Sequence, residues 1–147
     1  MMRTISPEGI ALIKAFEGFS PTLYRCPAGY LTIGYGHRAL KDEVSRFAGG
    51  LSVLQAEELL RQDVGVIEGQ IRPLLPEDLS QGQWDALVSF AFNLGAGRLK
   101  HSTLRRNVLM GDHDGAAKEF LRWVYVNGQP SAGLRRRRLA EVQRYRG

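Results

Sequence analysis

The sequence predicts an α+β chain in which a small lobe built on a β-hairpin and a larger helical lobe are joined by one long helix. Three observations carry this. Residues 18–50 are rich in glycine and proline and hold the short β-type run Tyr30-Leu31-Thr32-Ile33. Ser52-Val53-Leu54-Gln55 is a capping-box pattern that opens a helix running to about Gln70. From Ser80 onward, helical patterns with cap residues follow one another to the C-terminus. The 147 residues suit a single domain, 1–147, large enough to bury a core.

In chain order, Ser6-Pro7-Glu8 reads as an N-cap, a proline at the first helical position and an acid facing the helix dipole. Ile10, Ile13 and Phe16 share one face with Leu12 beside it, so residues 7–17 form a short amphipathic helix that Gly18 ends with a left-handed cap. Residues 18–50 form a small twisted hairpin sheet with long loops. The helix over 52–70 is about 27 Å long, enough to run from the small lobe to the larger, and Arg72-Pro73 closes it. Ser80 and Gln83 cap a second helix whose Trp84, Leu87, Val88, Ala91 and Leu94 give an apolar face wide enough for burial on most sides. Ser102 or Thr103 opens a helix ending at Gly111, Asp112 or Asp114 opens another through Trp123, and Ser131 caps a last one carrying Arg135 to Arg138. The helical lobe spans about 73–147, with helix 7–17 expected to pack on it and a cleft expected between the lobes.

Composition narrows the function classes. No window holds the roughly 18 uninterrupted apolar residues of a membrane span. The stretch Met1-Met2-Arg3-Thr4-Ile5-Ser6-Pro7 has a charge but no apolar run behind it, so no secretory signal is expected. One cysteine excludes an intrachain disulfide, and His37, His101 and His113 are scattered with no thiolate cluster, so no zinc site is expected. The net charge of +5 is uneven: residues 1–97 carry eight Lys and Arg against eleven Asp and Glu, and 98–147 carry twelve against four. A basic C-terminal half points to an anionic polymer, which could be nucleic acid, a membrane surface or a peptidoglycan envelope. The arginine run also reads as a solvated helix face, and no aromatics or recognition helix accompany it as a nucleic-acid module would require.

The chemistry concentrates between Phe16 and His37. Glu17 ends a helical pattern, Cys26 follows in a turn before Pro27, and Thr32 lies in the β-type run. Each has an ordinary reading: a surface carboxylate, a small buried hydrophobe, a β-branched strand residue. Against these, a carboxyl at a helix C-terminus faces the negative end of the macrodipole, which favours the protonated form a general acid needs. Cys26 can orient a water together with Thr32, or act as a thiolate where its surroundings favour one. The Thr32 hydroxyl both donates and accepts. His37 reads as structural, and Gly34-x-Gly36 is too short for a phosphate cradle.

The order Glu17, eight residues, Cys26, five residues, Thr32, continued as Thr-Ile-Gly-Tyr-Gly-His, resembles the catalytic signature of the phage-type lysozymes of glycoside hydrolase family 24, whose middle position is Asp or Cys. Gln83 to Gly95 resembles that family's central buried helix. Gly133-Leu134 followed by Arg137-Arg138 and Glu141 resembles its C-terminal helix. The resemblance implies a lysozyme-like two-lobed fold and an endolysin: a muramidase that hydrolyses the β-1,4 bond between N-acetylmuramic acid and N-acetylglucosamine, with inversion, in host lysis. It implies Glu17, Cys26 and Thr32 as catalytic residues, Phe92, Thr103 and Arg38 as substrate contacts, and an arginine from 135–138 holding Glu17. No cofactor and no metal are implied. The expected partner is bacterial peptidoglycan, with no nucleic acid and no stable membrane insertion. The chain is expected to be a monomer made in the host cytoplasm without a signal peptide, and released to the wall by a holin-type permeabilising protein. Arg38 departs from the best-known member, which has leucine there, and a later cleft asparagine is replaced near Ala117 or Lys118. A lytic transglycosylase and a basic envelope- or nucleic-acid-binding module are the alternatives. The presence of both Cys26 and Thr32 favours hydrolysis.

Overall fold

The Ser6 hydroxyl oxygen accepts the backbone N–H of Gly9 at 3.1 Å and so opens α1 (Pro7–Glu17), with Pro7 at the position where no N–H is needed. The structure is a computed structural model that describes residues 3–147. Met1 and Met2, the start of the stretch read for an export signal, lie outside the described residues. The chain forms two compact units. One is Ile13–Val66; the other joins the residues up to Leu12 with Ile67–Gly147. Helices α1 and α2 (Val53–Ile71) contribute residues to both.

The Ile13–Val66 unit carries an antiparallel sheet in the order β1 (Ser20–Arg25), β2 (Leu31–Gly34), β3 (His37–Arg38). Its register places Tyr24 opposite Thr32 and Thr32 opposite Arg38, and one residue on, Ile33 opposite His37. Side chains alternate across a strand, so Ile33 turns to the other face, into a core with Phe47 and Leu59. The β1–β2 turn is closed by the Cys26 N–H to the Tyr30 carbonyl (2.9 Å) and by the Gly29 N–H to the Cys26 carbonyl (2.8 Å). At the start of α2, Ser52 and Gln55 exchange side-chain and backbone bonds of 3.2 and 2.8 Å, the reciprocal box their spacing predicts.

In the other unit, Ser80 and Gln83 cap α3 (Gln81–Leu94) by the same device, and its residues Trp84 to Ala91 are all buried. Phe90 meets Phe120 and Trp123 edge-on, each at 5.6 Å between ring centroids. Asp85, wholly buried in that helix, accepts from the Ser6 N–H, the Ser6 hydroxyl, Gln81 and Arg144, so its charge is paired and its lone pairs are used. Shorter helices follow: α4 (Ala96–Lys100), α5 (Thr103–Leu109) capped by Ser102, and α6 (His113–Glu119) capped by Asp112. The helix expected to reach Trp123 tightens at Phe120–Arg122 into a 3-10 turn. A hairpin that the sequence analysis did not anticipate comes next, β4 (Tyr125–Val126) and β5 (Gln129–Pro130), turned by Asn127 and Gly128 at positive φ.

Ser131 caps α7 (Ala132–Arg146). The arginine run on this helix splits: Arg135 and Arg136 are exposed, whereas Arg137 and Arg138 are buried. Arg138 donates to Asn93 Oδ1 at 2.7 Å and lies over the Phe90 ring. Both buried arginines reach Glu141, which also accepts the Ser89 hydroxyl. Arg138 Nε stands 2.9 Å from Glu141 Oε1 without hydrogen-bond alignment, so that contact is Coulombic. Burial pushes the Glu141 carboxyl up, and the two guanidinium groups oppose it.

Candidate active site

Glu17 is the last residue of α1, and Gly18, at φ +71°, stops the helix by donating its N–H to the Lys14 carbonyl at 3.0 Å. The carboxyl rests against the backbone of Gly36, where a built Cβ would stand 2.5 Å from Glu17 Oε1. Gly36 also has φ +77°, so two constraints fall on one glycine. Glu17, Gly18, Phe19, Ser20 and Tyr24 line one shallow depression. Beside it Phe19 packs on Tyr35 (5.4 Å between centroids). Lys14 lies over the same ring and pairs with Glu57 of α2.

Cys26 is half-buried in the turn between β1 and β2. Desolvation pushes its thiol up. Backbone hydrogen bonds at Tyr30, Ala28 and Gly29, with one from the Thr32 hydroxyl, outweigh that and hold it below the ordinary thiol value. The turn itself supplies these donors. Pro27 fixes one φ and Gly29 sits at φ +89°, a tight turn that keeps the N–H groups of residues 28–30 at the sulfur. Thr32 is buried, and its hydroxyl donates to the Tyr30 carbonyl at 2.9 Å. It has one proton, so it serves either that carbonyl or the sulfur, with its lone pairs left to accept. Sequence reasoning passed over Tyr24. Its phenol is pushed up by burial and then by the charges of Glu17 and Cys26, which places it near both. The signal for it was available in the strand register, since Tyr24 stands opposite Thr32.

When protonated, His37 donates from both sides of its ring, Nδ1 to Asp63 of α2 at 2.7 Å and Nε2 to Glu43 at 3.1 Å. The Asp63 hydrogen bond raises its pKa against desolvation, and the Asp63 charge and Glu43 raise it further. Arg38, exposed on β3, lies over the Tyr30 ring at 3.4 Å. Glu17, Cys26, Thr32 and Arg38 thus all belong to the Ile13–Val66 unit. Phe92, half-buried on α3, and Thr103, which opens α5 and accepts from Arg106 at 2.6 Å, belong to the other. Among the described residues no group of three His, Cys, Asp or Glu could hold a metal ion.

Residues 14–141 match the family model described as phage lysozyme. The chain belongs to the phage lysozyme family. It is 42% identical over 139 residues to the endolysin of Bacillus phage B103, covering 93% of this chain and 52% of that protein. It is 37% identical over 141 residues to the endolysin of Acyrthosiphon pisum secondary endosymbiont phage 1, covering 93% and 94%. The chain therefore spans about half the length of the first of these relatives and nearly all of the second. A relative from bacteriophage PS119 called a SAR-endolysin is 37% identical over 130 residues, 87% of this chain and 74% of that protein. Among solved structures, a P22 lysozyme mutant superposes with a TM-score of 0.88 at 32% identity, over 99% of this chain and 100% of that one. The muramidase domain of SpmX from Asticaccaulis excentricus does so at 0.85 and 35%, over 97% and 98%. The α+β, lysozyme-like architecture expected of the sequence is that of these solved structures. No described helix of this family member is long and apolar enough to cross a membrane.

Proposed function

We propose that the chain is an endolysin acting as a muramidase, which hydrolyses the β-1,4 bond between N-acetylmuramic acid and N-acetylglucosamine in peptidoglycan. Membership of the phage lysozyme family supports this reading. The observation that carries it is a carboxyl seated against Gly36 in the same unit as a thiol whose hydrogen-bond partners include Thr32. In this reading Glu17 gives its proton to the glycosidic oxygen as the bond to the anomeric carbon breaks. A water held by the Thr32 hydroxyl and the Cys26 sulfur attacks the opposite face, with inversion, and passes its proton to the thiolate. Tyr24, kept protonated, is a steady donor beside both groups.

Clearing of purified peptidoglycan, with analysis of the released sugar ends, tests this. Glu17→Gln should abolish turnover while leaving the fold intact, because it removes the proton and almost no volume. New reducing ends are expected; 1,6-anhydro ends would mean a transglycosylase. Cys26→Asp should keep substantial activity and Cys26→Ala lose most of it. A fully active Cys26→Ala protein would return Cys26 to a packing role. We further propose release by a holin-type permeabilising partner. Expression of this chain alone should leave cells intact, and prompt lysis without a partner would refute that route.

A further inference from the structure

The row Tyr24–Thr32–Arg38 runs straight across the three strands. Directly opposed residues of an antiparallel sheet point to the same face, and Ile33 next along takes the core face. The Tyr24 end of the row lies near Glu17 and Cys26, Thr32 is at its middle, and Arg38 ends it, one strand spacing, about 5 Å, beyond Thr32. A sugar ring is of that size. A substituent on a sugar ring seated over Thr32 comes within reach of Arg38.

Arg38 is held ready for such a group. Its guanidinium carbon lies over the Tyr30 ring, 3.4 Å from the centroid, a cation–π contact that restrains the side chain while the residue stays exposed. Among the described residues no carboxylate pairs with it. Of the two acids nearest along the chain, Asp42 makes no ion pair with it and Glu43 is taken by His37 and Arg46. A planar, stacked and exposed guanidinium fits a carboxylate, which it binds by two parallel hydrogen bonds. On the substrate assigned above N-acetylglucosamine is uncharged and the lactyl carboxyl of N-acetylmuramic acid is taken up in its amide bond to the peptide stem, so the free carboxylates lie on that stem.

We propose that Arg38, stacked on Tyr30 at the end of the Tyr24–Thr32–Arg38 row, reads a free carboxylate of the peptide stem, so that the chain discriminates against peptidoglycan whose stem carboxylates are amidated. This rests on the muramidase reading and deepens it. Arg38 acts on specificity and takes no part in bond cleavage.

The test compares native peptidoglycan with the same material amidated by carbodiimide and ammonia. For wild type, kcat/KM should be about tenfold higher on the native form, the value of one charge-assisted contact. Arg38→Gln should bring that ratio close to one through a raised KM on native material. Arg38→Lys, with charge but no flat face, should keep part of it, and Tyr30→Leu should lower it. Arg46→Gln, another exposed arginine of the same unit, should keep the wild-type ratio. An equal loss there would mean diffuse charge attraction and overturn the assignment, as would a wild type indifferent to amidation. Sedimentation of the Glu17→Gln protein with each insoluble material gives the same ratio for binding alone. A wild type that cleaves neither form therefore defeats the muramidase reading, while the binding ratio still decides Arg38.

Discussion

A methyl group at Gly36 would stand 2.5 Å from Glu17 Oε1, and the backbone there lies at φ +77°. Gly36→Ala should therefore move the acid rather than unfold the protein. The expected stability loss is about 1 kcal/mol for the left-handed backbone, and kcat should fall about a hundredfold because the carboxyl is displaced by about 1 Å. Gly49→Ala is the control, since its Cβ meets nothing within 4 Å and its backbone is not strained. Steady-state kinetics beside thermal melts separates the two effects; equal kcat losses in both variants would refute the displacement. The contact joins residues 17 and 36, so no local pattern in the sequence reveals it, although both lie in the motif. For Cys26 the reverse holds. Its turn was legible from Pro27 and Gly29, and what the sequence left open was the source of any thiolate stabilisation. The backbone and Thr32 provide it.

Two of the carboxylates that matter to β3 come from elsewhere in the chain. His37 ties this two-residue strand to α2 through Asp63 and to the following turn through Glu43. His37 has a raised folded pKa, so its stabilisation is complete below the unfolded value of about 6.5 and is lost as pH rises through the folded value. His37→Asn should cost roughly 1–3 kcal/mol at pH 5.5, where two charge-assisted bonds are removed. The gap from wild type should shrink towards pH 9. A gap in denaturation midpoint that stays constant across that range would show that the clasp works by packing alone. The sequence made His37 structural, since it follows a strand in a glycine-rich turn; Asp63 was invisible because it is one of several polar residues on a solvated helix face. Capping explains why α1, α2, α3 and α7 were legible: Ser6, Ser52, Ser80 and Ser131 each stand one residue before their helix. The β4–β5 hairpin was legible in Asn127-Gly128 and was passed over because its strands are only two residues long.

Over the whole chain, the positive charge of the C-terminal third does two separate jobs. Arg137 and Arg138 are internal and hold α7 to Ser89 and Asn93 of α3, whereas Arg135 and Arg136 face water. Neutralising Arg135 and Arg136 to glutamine should raise KM on peptidoglycan severalfold and flatten its dependence on salt, with kcat little changed. A kcat loss of orders of magnitude would give these two a role in the chemistry. Arg138→Met should instead lower stability by about 3–5 kcal/mol, the cost of leaving Glu141 buried with one partner fewer. The network around Asp85 bears on how the chain is made. Ser6 leaves the ribosome before its partners: its two acceptors on Asp85 are 79 residues further on, and Arg144, which completes the set, is 138 residues away. At about 5–20 residues per second, the first turn of α1 waits roughly 4–16 s for Asp85 alone. During that interval the start of α1 is an unfinished edge of a unit whose remainder, from Ile67 on, is still being synthesised.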